Sequence, residues 1–201
     1  AWKCIAEGSI PDATRSELYD RDVEVNRSER RVRRHIVEHL AISPGVNMPA
    51  CLVLMSVVKD AERIGDYCKN LVEASELQEE PLGKGPFAES YDGIAQRVLQ
   101  AFDRTCAALT ECDEALAETV VEEEREIAAA CNKLLKEVAS SSLSTPNAVS
   151  CALAARYLKR VSAHLGNIAS SLVMPVHKLD YYDEDLLPGH TRSAEPEAPD
   201  K

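Results

Sequence analysis

Aromatic residues are scarce in this chain: two Phe, one Trp and six Tyr make up 4% of its 201 residues. Against 45% hydrophobic residues overall, that scarcity predicts an interior of helices lined by Ala, Leu and Val rather than a β-sandwich. Glycine is also sparse. The eight glycines lie mainly at breaks, and no G-x-x-x-x-G-K-S/T loop, G-x-S-x-G elbow or G-x-G-x-x-G turn occurs, so nucleotide chemistry has no support. Long apolar runs are missing as well. The longest, Ala50 to Val58, is already interrupted by Ser56 and falls far short of the ~20 residues that span a bilayer. Ala1 to Glu7 does not read as a signal peptide, which makes the cytoplasm the expected compartment.

Basic charge is in deficit, with 23 Lys and Arg against 34 Asp and Glu, a net charge of -11. Binding to nucleic acid or anionic lipid is driven by cationic side chains displacing counterions, so both are excluded as partners. The seven cysteines (Cys4, Cys51, Cys68, Cys106, Cys112, Cys131, Cys151) are odd in number and include no C-x-x-C pair. They read as reduced, buried thiols rather than a disulfide framework or a zinc knuckle.

What the sequence does have is helical periodicity and punctuation. Ala1 to Glu7 reads as the last turns of a helix, closed by Gly8 and a Ser9-Ile10-Pro11-Asp12 turn. A long helix follows to about Ile42, with Val25, Val32, Ile36 and Leu40 on one face and Arg27, Arg30, Arg31 and Arg34 roughly opposite. Ser43-Pro44-Gly45 ends it. From about Met48 to Leu77, the residues Ala50, Leu54, Val57, Ala61, Ile64, Cys68 and Leu71 step by four and three as the seam of an antiparallel bundle helix. A linker rich in Pro and Gly covers 79–86, and helices are expected over Phe87 to Leu109, Asp113 to Val138 and Thr145 to Met174. The acidic tail 176–201 is expected to be disordered.

An internal repeat organises these helices. One constant shift lays Pro49 on Pro146, Leu54 on Cys151, Ala61 on Leu158, Arg63 on Arg160, Ile64 on Val161 and Asn70 on Asn167. A slightly different shift lays Val25 to Val32 over Val120 to Ile127. The expected fold is therefore all-α, two repeated antiparallel three-helix bundles, with units at 1–78 and 87–175. The first helix of the first bundle is largely absent from the chain.

The sharpest motif is Glu62-Arg63-Ile64-Gly65-Asp66-Tyr67-Cys68-Lys69-Asn70-Leu71, in which Glu62, Asp66 and Asn70 recur every four residues and form one polar stripe. Two carboxylates one turn apart suit a hard or borderline cation, yet the spacing alone favours a solvated helix face opposite the seam. Earlier in the chain stands Asp22-Val23-Glu24-Val25-Asn26.

Together, these two strings, the repeat and the helix order resemble the PhoU family over about Asp12 to Met174. The family carries an E-R-x-x-D-x-x-x-N-I-type string on one helix and a D-x-x-I-N-type string on the helix before it. The resemblance implies surface metal clusters of iron or zinc, as several members have, with Glu62, Asp66 and Asp22 as ligands and Asn26 and Asn70 as supporting polar groups. Oxygen donors alone do not select the metal. The second copy departs from the pattern, because Lys159 and Ala163 stand where Glu62 and Asp66 stand in the first. A site there would have to use Glu118, Glu122 or His164. The resemblance further implies a non-enzymatic regulator that lies between a phosphate transporter and a sensor histidine kinase, and it leaves a homodimer open.

Two alternatives stand beside it. The chain could be the cytoplasmic PhoU-like domain of a sodium-phosphate cotransporter. Alternatively, His35-Ile36-Val37-Glu38-His39 fits the H-x-x-E-H string of inverted zinc peptidases, in which two histidines one turn apart share a zinc ion.

Overall fold

The computed structural model describes residues 1–8 and 10–179. Ser9, and the expected disordered tail from Asp180 onward, lie outside the described residues. Six α-helices are described: α1 (Trp2–Glu7), α2 (Asp12–Ile42), α3 (Met48–Ser75), α4 (Ala88–Glu111), α5 (Glu114–Ala139) and α6 (Thr145–Val173), with 3-10 turns at Leu82–Lys84 and Val176–Lys178. No strand occurs among the described residues.

The helix ends fall where the chain's punctuation puts them. Gly8 closes α1 in the left-handed conformation, its amide donating to the Cys4 carbonyl at 3.0 Å. Pro11 precedes α2, and Pro49 and Pro146 sit in the first turns of α3 and α6, where a missing N–H is harmless. The Asp113 carboxylate caps α5 by accepting from the Leu116 amide at 2.9 Å.

Each unit is antiparallel. Arg15 at the start of α2 pairs with Glu76 just past the end of α3, and Arg97 and Arg104 of α4 pair with Glu126 and Glu123 of α5. The units are joined by α3 and α6, which also run antiparallel: Ser150 Oγ donates to the Ala74 carbonyl at 2.8 Å near one end, and Asp60 meets His164 farther along. One apolar core crosses this junction, combining Ile64, Leu71 and Ala74 of α3 with Leu158, Val161, Leu165 and Ile168 of α6 and the inner faces of α4 and α5. Within it the Tyr91 hydroxyl donates to the Cys151 carbonyl at 2.7 Å.

Burial is lopsided between the repeats. In the second unit α4, 24 residues long, packs on α5 and α6, whereas α1 has only six residues and packs on α3 and the linker turn. That short helix is firmly seated: Ile5 is fully buried and Trp2 stacks on Tyr91. Gly8 and Gly83 sit where an added Cβ would meet Pro81 Cγ at 2.7 Å and the Ala6 carbonyl oxygen at 2.6 Å, so α1 packs on the linker with no room for side chains there. Toward the far end of the hairpin, Val37, Ile42, Val46, Met48, Leu52 and Leu54 are exposed.

The seam expected along α3 is accordingly only half buried. Ile64 and Leu71 are inside and Val57 and Cys68 are partly covered, but Ala50, Leu54 and Ala61 face solvent. On α2 the expected faces appear, with Ile36 buried, Val25, Val32 and Leu40 half-buried, and Arg27, Arg30, Arg31 and Arg34 exposed. Of the tail, Leu179 is buried behind the 3-10 turn.

All seven cysteines are free, but they are not uniformly buried: Cys106 and Cys112 are exposed, where Cys4, Cys51, Cys131 and Cys151 are enclosed. Burial, which disfavours the thiolate, is the main cause that pushes the Cys131 thiol up to about 11. A thiol reagent at neutral pH should therefore modify Cys106 and Cys112 quickly in native protein, and Cys131 only after unfolding, as read by peptide mass spectrometry. The sign for stability follows. Cys131 stays protonated in the fold while an unfolded chain ionises near 9, so its contribution is intact below that pH and declines as pH rises toward 11.

Candidate functional site

Two polar junctions interrupt the apolar packing, one between α2 and α3 and one between α3 and α6. The first contains the sequence-derived candidates. Asp22 on α2 and Asp66 on α3 converge, and between them lies the ammonium of Lys69, with Nζ 2.9 Å from Asp22 Oδ1 and 3.0 Å from Asp66 Oδ1. Burial works against the charge on Lys69. Hydrogen bonding and attraction from the two aspartates outweigh it and hold the ammonium above its ordinary range. Asp22 Oδ2 accepts from Asn26 Nδ2 at 3.2 Å, and Asp66 Oδ2 lies 3.6 Å from the Arg63 guanidinium.

Glu62 belongs to a different pairing. Its carboxylate accepts from Lys59 Nζ at 2.6 Å and lies 4.0 Å from Arg63 Nε. Asn70 continues the stripe, half-buried, one turn beyond Asp66. The stripe is thus not the solvated face that its spacing favours: the Glu62 and Asp66 side chains are only 13% and 29% exposed. The structure brings Asp22, Asp66 and Asn26 together and leaves Glu62 with its lysine. No three His, Cys, Asp or Glu side chains among the described residues are grouped to hold a metal ion. The donor set therefore does not fit iron or zinc: two carboxylates share a position held by an ammonium, and the third is turned to another cation.

The remaining candidates are scattered. Glu118 and Glu122 are exposed on α5, and His164 is engaged elsewhere. Of the H-x-x-E-H string, His35 and Glu38 are exposed on α2, and His39 Nε2 lies 3.1 Å from the Val46 carbonyl oxygen.

The second junction is one that motif reasoning passes over. Asp60, 7% exposed, presents Oδ1 to His164 Nδ1 at 2.7 Å and accepts from Asn167 Nδ2 at 3.1 Å. Tyr67 stacks on the His164 ring at a centroid distance of 5.6 Å and packs on Tyr157 at 5.9 Å. The repeat explains the arrangement. The shift that lays Asn70 on Asn167 also lays Tyr67 on His164 and Asp60 on Tyr157. Tyr67 and His164, equivalent residues of the two copies, therefore meet each other, as they would at a pseudo-twofold axis. Asp60–His164 and Tyr157–Tyr67 are then the two copies of one contact, made polar on one side and aromatic on the other. The available signal was a lone Asp next to a seam position, uninterpretable without knowing that α6 covers it.

Repeat, helix order and the shared α3–α6 core define a duplicated three-helix-bundle protein. A family model described as the PhoU domain matches residues 7–75 and 92–172, and the chain belongs to the PhoU family. Among solved structures, the phosphate transport system regulatory protein PhoU from Streptococcus pneumoniae matches with a TM-score of 0.71. The match covers 80% of this chain and 78% of that one, at 18% sequence identity, a likeness that establishes the fold. No curated protein sequence matches the chain. Among the described residues, no helix is long and apolar enough to cross a membrane.

Asp60→Ala would leave two donors facing a void, which costs about 1–3 kcal/mol. At this chain length that lowers Tm by roughly 2–4 °C per kcal/mol. Because Asp60 and His164 touch, Asp60→Ala and His164→Ala should be non-additive by about 0.5–3 kcal/mol in a double-mutant cycle of urea melts. Strict additivity would show that the pair is not coupled.

Proposed function

We propose that this protein regulates phosphate uptake by protein–protein contact with a phosphate transporter and a sensor histidine kinase in the cytoplasm, restraining starvation signalling when phosphate is plentiful. The observation that carries this role is membership of the PhoU family through both repeats, and the shared fold with a phosphate transport system regulatory protein supports it. The role is one of contact, not catalysis.

The surface of α2 offers a physical basis for such contact. Arg27, Arg31 and Arg34 are exposed and make no ion pair among the described residues, and Arg30 donates only to the Asn26 carbonyl, at 3.1 Å. Glu29, which could have neutralised this strip, pairs instead with Arg33. On a chain of net charge -11, an unneutralised basic strip is a local exception suited to an acidic segment of a partner. Deleting the gene in its host should switch on a phosphate-starvation reporter in phosphate-rich medium, and the wild-type gene should switch it off again. An Arg27→Glu/Arg31→Glu/Arg34→Glu variant should fold, as judged by circular dichroism, yet fail to restore repression. A reporter that stays repressed in the deletion strain would overturn the proposed role.

The cotransporter-domain alternative is favoured by one observation, the uncovered apolar residues Val37, Ile42, Val46, Met48, Leu52 and Leu54 at one end of the α2–α3 hairpin. A protein of that kind would sediment with membranes after alkaline washing, when a regulator bound through a partner is stripped off.

A further inference from the structure

We propose that Lys69 is a built-in cation that takes the place of the metal ion suggested by the family resemblance, so that an internal ion pair, not iron or zinc, joins α2 to α3 in this protein. The geometry is that of a shared cation. Asp22 and Asp66 come from two helices, and a single Nζ lies 2.9 and 3.0 Å from an oxygen of each. The group is largely withdrawn from solvent, the side chains of Asp22 and Lys69 being 12% and 19% exposed. Asp22 Oδ1 is sealed from solvent, and its charge is answered by that ammonium. A divalent ion bound to the same oxygens would have to expel Lys69, and a like charge tethered one turn away opposes its return.

The other repeat supports the same assignment. The alignments that superimpose the two copies place Asp22 on Ala117, Asp66 on Ala163 and Lys69 on Gly166. Two carboxylates and an ammonium are thus matched by three small uncharged residues, of which Ala117 and Gly166 are buried. Both versions close the helix pair without a metal: one balances its charges internally, and the other has none to balance. Lys69 is therefore a positioning residue, holding α2 on α3.

The test uses the full chain, purified after expression with iron and zinc supplied. Metal per chain is measured by mass spectrometry for wild type and for Asp22→Asn/Asp66→Asn, and melting temperatures are measured for Lys69→Met and Lys69→Arg. The expected result is substoichiometric metal in wild type, unchanged in the double variant. Lys69→Met should melt several degrees below wild type because two aspartates then face each other unbalanced, and Lys69→Arg, which keeps the charge, should melt close to it. Introducing Asp22→Asn into Lys69→Met should recover part of the loss, a response that trimming an ordinary surface lysine would not show. Stoichiometric iron or zinc in wild type that disappears with Asp22→Asn/Asp66→Asn would overturn the proposal. So would a Lys69→Met protein that melts as wild type does.

Discussion

Everything else in this structure depends on α3 lying antiparallel against α6. These are the equivalent helices of the two repeats, and neither unit is a closed apolar body without the other. The inner face of α6 completes the second bundle and also supplies the surface on which Ile64, Leu71 and Ala74 are buried. Burial of roughly 25 cal/mol per Å² of apolar surface is the dominant favourable contribution in such a helical protein, and here it is concentrated along one shared seam. The first unit, whose α2 buries only Ile36 in 31 residues, is stabilised chiefly through α3 and what α3 touches.

Charges at the two helix junctions are answered in different ways. Between α3 and α6, the enclosed Asp60 is answered by neighbours on the opposite helix, His164 and Asn167. Between α2 and α3, two aspartates share one lysine and are flanked by Arg63. Removing one member of a buried pair leaves the other without compensation, which is why such groups specify how helices sit even where their net stabilisation is small. Asp66, on a stripe that spacing alone reads as a solvated helix face, meets Asp22 of the neighbouring helix across Lys69 in the folded chain.

The asymmetry of the repeats bears on function. The second unit, covered along its length by α4, is the better-packed body. The first presents an arginine strip on one side of α2 and apolar residues at one end of the α2–α3 hairpin. Surfaces of both kinds suit regulation by contact.

Helix positions, the duplication, the fold class and the arginine face of α2 were all legible in the amino-acid sequence. They depend on local signals: Pro and Gly at helix ends, and apolar spacing of three and four that survives a shift from one copy to the other. Which part of a stripe is buried was not legible. Periodicity names a face and not its depth, so Ala50 and Leu54 look like Ile64 and Leu71 until it is known which part of α3 is packed against α6. Partner choice was equally hidden. Lys69 follows Asp66 by three residues, an ordinary surface spacing, and only the approach of Asp22 from α2 turns it into a shared cation. Asp60 reads as a polar residue beside a seam until α6 encloses it with His164. Sequence by itself determined the helices and their pairing in two copies, because hydrophobic period and capping act within a few residues of the chain. Tertiary structure decided which charges meet and which apolar residues stay uncovered, because desolvation and ion pairing depend on side chains that are distant in sequence and meet only when the helices pack.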